Sequence, residues 1–317
     1  MNQLKEEKKF HVEALAAATS RCEVVGTRAF KWCNNLESIT FRPFYDKRQI
    51  TFMVYFSRKF DKNYPEPMKL VSSLAGWGTL KKIRSEAFYG CTSLSSVIIP
   101  NSVTAIGHGA FSYCSSLTSI RLPDSLKTIP GSVFWSCSSL TSIELPNTMT
   151  TIEDAAFHHC TSLKSIKLPD TVITIGEEAF YGCSSLKSIT LSRKLKTIGP
   201  NAFEDCTSLT SIKLPDSLTT IGESAFAGCT VLESITLPDL VKMIGKKTFY
   251  YCYLLTSVKV PDSLETIGEE AFLDCDSLES IILPDSITSI GSDAFPDNVE
   301  ILYSQRKRIR KKRRLNY

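Results

Sequence analysis

Ser211–Thr230 reads SIKLPDSLTTIGESAFAGCT. Ser188–Thr207, 23 residues upstream, reads SITLSRKLKTIGPNAFEDCT, and Ser234–Tyr253, 23 downstream, reads SITLPDLVKMIGKKTFYYCY. A unit that recurs at a fixed period is the mark of a repeat architecture. The register extends well beyond these three copies. Phenylalanine stands at position 30 and then at every 23rd position from Phe88 to Phe295, and cysteine does the same from Cys91 to Cys275.

The unit is L-x-S-I-x-L-P-D-S-L-x-x-I-G-x-x-A-F-x-x-C-x-S. Its I-x-L pair alternates apolar and polar, the period of a short strand with one buried face. Pro-Asp-Ser follows as a turn, since proline presets φ and Asp bonds neighbouring amides. L-x-x-I is a second extended segment, closed by a Gly read here as the residue that supplies φ above zero. A-F-x-x-C reads as a short helical or 3₁₀ turn that carries Phe and Cys inward. One unit cannot enclose its own apolar residues, whereas stacked units cover one another at the strand spacing of about 4.8 Å. The expectation is a parallel solenoid of about ten coils.

Units such as LTSIKLPDSLTTIGESAFAGC resemble the BspA-type leucine-rich repeats, the 23-residue treponemal class, over residues 24–303. The resemblance implies a curved, right-handed stack with a parallel β-sheet on the concave side. It also implies interaction with other macromolecules rather than catalysis. Members of the class occur as bacterial surface proteins and are abundant in certain unicellular eukaryotes. Function transfers poorly within a repeat class, because one scaffold hosts many partners.

Three regions are expected: a helical cap in 1–22, the solenoid in 23–303, and a basic tail in 304–317. Residues 3–19 read as the capping helix, with Leu4, Val12 and Leu15 among Glu and Lys. An insertion at 42–76 separates the first coil from the second. Within it Ile50, Phe52, Val54 and Phe56 alternate, so a strand or hairpin packed on the solenoid is expected beside the alternative of an irregular coil. At the far end, FPDNVEILYS is a shortened coil in which Val299 and Ile301 are expected to close the core.

The 317 residues carry a net charge of +4 that is unevenly placed. Eight basic residues (Arg306, Lys307, Arg308, Arg310, Lys311, Lys312, Arg313 and Arg314) crowd the tail, so the remainder is acidic. Such a run reads as a nuclear import signal, as an electrostatic contact for nucleic acid or anionic membrane, or as a passive solvating tail. The longest apolar stretch, Ile50–Phe56, is far below the roughly 20 residues that span a bilayer. The N-terminal segment lacks the apolar core of a secretory signal, and the expected location is intracellular, nuclear or cytoplasmic.

The search for chemistry yields little. The eleven cysteines follow the repeat rather than any C-x-x-C pattern, which points to packing of free thiols. His158 and His159 flank Cys160, hinting at ligation, with a surface pair as the plainer reading. The turn column Asp124, Asp170, Asp216, Asp239, Asp262 and Asp285 reads as amide caps rather than a calcium site. Neither a nucleophilic triad nor a phosphate loop is visible, so no enzyme activity, cofactor, metal or small-molecule substrate is expected.

What varies is the outward face of the strand, where a Ser column runs from Ser38 to Ser280. Arg121, Glu144, Lys164, Lys167, Lys187 and Lys213 flank it and mark a candidate docking strip for an acidic protein partner. Three functions stay open. They are an interaction scaffold using this face, a surface adhesion protein of the kind the resemblance implies, and a nuclear or nucleic-acid-associated protein acting through the tail.

Overall fold

The reason a 23-residue unit closes on itself lies in how its backbone polar groups are shared with the next unit. The computed structural model describes residues 24–32, 34, 38–46, 49–54 and 80–304. The expected capping helix and the basic tail beyond Ser304 lie outside them. The chain divides into two compact units, Met1–Met149 with Ala156–Leu163, and Thr150–Ala155 with Lys164–Tyr317. Each is a parallel β-solenoid, and together they contain about ten coils.

A regular coil contributes two short strands. The S-I-x strands form one set of short ladders. In the first unit Ser38–Asp46, Ser96–Ile98 and Ser119–Arg121 pair in parallel. In the second unit Ser165–Lys167 pairs with Ser188–Thr190, and Ser234–Thr236 with Ser257–Lys259. The T-I strands form the other set, running Thr151–Ile152, Thr174–Ile175, Thr197–Ile198 and Thr220–Ile221 in the second unit. Because the register steps by a whole repeat, identical side chains stack in columns, as where Ile166 faces the core between exposed Ser165 and Lys167.

The Pro-Asp-Ser turn is a β-turn: Leu218 N–H donates to the Pro215 carbonyl at 3.0 Å, and the bond recurs at Val103, Leu126, Val241 and Leu264. Its Ser has a role that the sequence did not reveal. The Ser217 hydroxyl lies 2.8 Å from the Arg193 carbonyl and 2.7 Å from that of Leu195 in the preceding coil. Thr148, Ser263 and Ser286 repeat the contact.

The A-F-x-x-C segment departs from the expected helical turn, since no helix occurs among the described residues. Alternate amides are used in two ways. Tyr181 and Cys183 N–H close tight turns on Glu178 and Phe180, while Glu178, Phe180 and Gly182 N–H donate to Pro200, Ala202 and Glu204 of the next coil. An α-helix would direct all of these donors along its own axis and leave none aimed at the next coil. The alternation needs two left-handed residues per turn, here Glu178 (φ 54°) and Gly182 (φ 65°).

The Gly that follows the T-I strand has a different task from the one expected. Left-handed φ falls on residues inside the turn, not on Gly199 or Gly222. A Cβ on Gly199 would lie 2.6 Å from the Gly176 carbonyl carbon, so the backbones of successive coils touch there and admit no side chain.

The core is a column of stacked rings. In the second unit Phe180, Phe203, Phe226, Phe249 and Phe272 follow one another at centroid spacings of 5.3, 5.5, 5.6 and 5.2 Å. Phe88, Phe111, Phe134 and Phe157 do the same in the first, and all nine rings are fully buried.

The insertion does form a hairpin: Ser38–Asp46 continues past the ladder and pairs antiparallel with Gln49–Val54, placing Phe41 opposite Val54. The remainder of 42–76 lies outside the described residues. At the far end Glu300–Tyr303 pairs with Ser280–Leu283, at a step of 20 residues, Ser280 facing Glu300. Val299 is half-buried, but Ile301 is 37 % exposed, so it does not close the core as expected. The coil is shorter there than the 23-residue unit, and its four-residue strand is exposed along its whole length.

Candidate functional site on the strand face

Alternation along the strand turns Ser and the second x of L-x-S-I-x-L outward and Ile inward, while the first x stands just before the strand and is exposed beside Ser. All six predicted residues are exposed. Arg121 and Glu144 stand in the first unit, Glu144 in a coil whose S-I-x segment forms no strand. Lys164, Lys167, Lys187 and Lys213 stand in the second. There the pairing of Ser165 with Ser188 sets Lys164 and Lys187 side by side, and Lys187 N–H donates to the Lys164 carbonyl at 3.0 Å. Lys167 is level with Thr190 and stands two coils before Lys213 in the same column. None of these four lysines forms an ion pair among the described residues. The sign changes farther along, where Glu233 and Glu279 take the first x position.

Neighbouring like charges on a ladder are unfavourable. Elsewhere the protein neutralises such positions. Arg193, in the coil that reads LSRKL, pairs with Asp170 through Nε at 2.9 Å, and Lys242 and Lys246 pair with Glu265 and Glu269 at 2.9 Å each. In the first unit Arg28 and Lys31 hydrogen-bond Glu86 and hold its carboxyl down at about 2.

The cysteine column is structural, with one addition to the packing role. Thiols of the column donate to the Phe carbonyl of the preceding coil, as in Cys206 Sγ to Phe180 O at 3.3 Å and Cys114 Sγ to Phe88 O at 3.2 Å. Burial pushes the Cys114 thiol up to about 12 and also raises Cys137, Cys206, Cys229 and Cys252. Cys91 through Cys275 are free thiols. Cys160, between the histidines and the next turn, donates to Phe134 O at 3.1 Å like the other thiols of the column.

His158 stacks on Trp135 with centroids 4.0 Å apart and meets His159 edge-on at 4.5 Å. It is buried rather than on the surface, and burial, aided by His159, lowers its pKa to about 4. Where their bonds are seen, the turn aspartates bond across coils rather than to the neighbouring amides of their own turn: Asp170 Oδ1 accepts from Arg193 N–H, Asp124 Oδ2 accepts from Asn101 Nδ2, and Asp124 N–H donates to Asn101 Oδ1. Among the described residues no group of three or more His, Cys, Asp or Glu could hold a metal ion, and no helix is long and apolar enough to cross a membrane.

Sequence reading passed over the aromatic residues at the two x positions of A-F-x-x-C. In the first unit Trp32, Tyr89 and Tyr113 succeed one another at 5.3 and 5.1 Å, and in the second Tyr250, Tyr251 and Tyr253 cluster. They follow no strict column, which is why periodicity alone did not flag them.

No match is found among curated proteins. Among solved structures, a leucine-rich repeat protein from Bacteroides ovatus is 27 % identical, covering 84 % of this chain and 89 % of its own, with a TM-score of 0.46. A leucine-rich cell surface protein from Faecalibacterium prausnitzii is 28 % identical over 73 % of this chain and 78 % of its own, TM-score 0.42. The leucine-rich repeat protein of T. pallidum is 30 % identical over 66 % and 75 %, TM-score 0.34. The model of the BspA type leucine-rich repeat region, six copies, matches residues 81–208 and 173–302. With that match covering most of a chain built from stacked 23-residue coils, this protein belongs to the family of BspA-type leucine-rich repeat proteins.

Proposed function

We propose that this chain is a non-enzymatic interaction scaffold that docks an acidic region of a partner protein on the strand face of its second unit. Repeats of this family serve in general in protein interaction or surface adhesion. One observation carries the finer reading. Lys164, Lys167, Lys187 and Lys213 are exposed and form no ion pair among the described residues, with Lys164 beside Lys187, although the repeat elsewhere supplies counter-charges. Lys167 acts on the Asp170 carboxylate, which is itself bonded to Arg193. Repulsion kept without structural compensation is expected at binding sites. A rigid ladder also presents these charges at low entropic cost. Changing all four to Glu should abolish capture of the partner and leave the melting temperature nearly unchanged, since exposed charges contribute little to folding. Retention of the partner by that variant contradicts the reading.

An intracellular setting suits a column of free buried thiols, because oxidising compartments favour paired cysteines. The basic residues from Arg306 to Arg314 act in this reading as a nuclear import signal. Residues 304–317 fused to a fluorescent protein should concentrate it in the nucleus of a eukaryotic cell. Diffuse fluorescence that is unchanged when the eight basic residues become Gln rejects targeting.

A further inference from the structure

The corner that follows the buried Cys is polar in most coils. Residues 92–93, 115–116, 138–139, 161–162, 184–185 and 207–208 are all Ser or Thr. One coil of the second unit departs from this and reads Tyr250, Tyr251, Cys252, Tyr253, Leu254. Tyr251 and Tyr253 are each 40 % exposed and Leu254 is 47 % exposed. The rings are contiguous, Tyr250 and Tyr251 at 3.9 Å and 32°, Tyr251 and Tyr253 at 5.7 Å and 34°. Folding gains little from this arrangement. Tyr251 sits at φ 59°, where Gly182 and Gly228 serve the corresponding positions of two other coils without a side-chain penalty. Left-handed φ is required of this position in the other coils too, as at Asp205 and Asp274, so the departure in this coil is the exposed rings rather than the backbone.

The border of the patch is negative. Asp274 occupies the position of Tyr251 in the next coil, where Tyr251 N–H donates to the Leu273 carbonyl at 3.1 Å. Asp274 and Asp276 both lie close enough to act electrostatically on the Tyr253 hydroxyl. Neither carboxylate forms an ion pair among the described residues. The site already shows what it can hold: Lys247 lies 5.0 Å from the Tyr250 centroid while bound to Glu270 at 3.1 Å. The rings lie in a row at shallow mutual angles rather than converging as a cage. A row suits a flat cation that stacks and bonds in its own plane, which describes guanidinium better than ammonium.

We infer that Tyr250, Tyr251, Tyr253 and Leu254, bordered by Asp274 and Asp276, dock an arginine-containing segment of a partner protein. Guanidinium groups stack on the exposed rings and donate to the two carboxylates, while Leu254 takes aliphatic contact. The requirement is opposite in charge to that of the lysine face, so this inference stands independently of it.

The repeat itself supplies the test variant. Tyr251→Gly, Tyr253→Thr and Leu254→Ser together write the residues that other coils carry, and this variant should fold at least as well as the parent. Titration calorimetry of the full chain at about 0.15 M salt uses a capped eight-residue Gly-Arg repeat peptide and its Gly-Lys counterpart. The Arg peptide should bind severalfold more tightly than the Lys peptide. The triple variant, and separately Asp274→Asn with Asp276→Asn, should each weaken it about tenfold, a change near 1.4 kcal/mol. Equal affinity in the triple variant overturns the inference, and so does equal binding of the two peptides, since either marks diffuse attraction to an acidic body. If the Arg peptide binds only after the eight basic residues of the tail become Gln, the patch belongs to the chain's own tail and the partner assignment fails.

Discussion

Phe203 shows how much one residue can carry in a stacked fold. Its ring is fully buried between Phe180 and Phe226, at 5.3 and 5.5 Å. Phe203→Ala should cost about 3–5 kcal/mol in a denaturant titration, and a loss below about 1 kcal/mol would contradict the ring ladder. His158 gives a pH test. Its folded pKa of about 4 lies below the ordinary 6.5, so the unfolded chain binds the proton more readily. Stability on this account is whole above pH 6.5 and declines as pH falls toward 4. The decline should be on the order of 3 kcal/mol, the linkage equivalent of a fall from 6.5 to about 4 at about 1.4 kcal/mol per unit. His158→Tyr, which places there the residue found at Tyr181, should flatten the melting temperature across that window. The Phe and Cys columns were legible because burial tolerates so few substitutions that the period shows. The left-handed positions were not, since they fall on Glu178, Asn201, Ser224 and Lys247 as readily as on Gly182.

At the level of the element, the strands and the Pro turn were readable from alternation and from the turn residues, but the A-F-x-x-C segment was not. Its apolar spacing fits a helical turn. What decides against helix is the claim of the next coil on every second amide, a tertiary demand without a local signature. The Ser of Pro-Asp-Ser was equally opaque, because its hydroxyl serves the preceding coil. Ser217→Ala should remove the contacts to Arg193 and Leu195 and cost about 1–2 kcal/mol by thermal unfolding. The following coil offers the converse. Leu240 stands where that hydroxyl would be and is 54 % exposed, so Leu240→Ser should raise the melting temperature. Unchanged stability in both variants would show that the hydroxyl cap is incidental. The hairpin of the insertion was anticipated from Ile50, Phe52 and Val54, whose alternation survives outside the repeat.

For the molecule as a whole, the fold follows from repetition and the function from its exceptions. The strand face was locatable from sequence because Ser marks it from Ser38 to Ser280, and the variable positions beside it stood out against that constancy. The partner was not, because exposed charges barely affect folding and so leave no periodic trace. The aromatic corner at Tyr250–Leu254 escaped for the same reason, being a single departure in one coil. The central claim is that binding resides in the lysines of the second unit's strand face. Its most direct test is quantitative affinity capture with the full chain, with Lys164, Lys167, Lys187 and Lys213 all changed to Glu, with the tail neutralised, and with 42–76 deleted. The account predicts that the partner bound by the full chain is lost from the lysine variant alone, whose melting temperature stays within a few degrees. Capture that survives the lysine reversal and disappears with the tail or the insertion would contradict it.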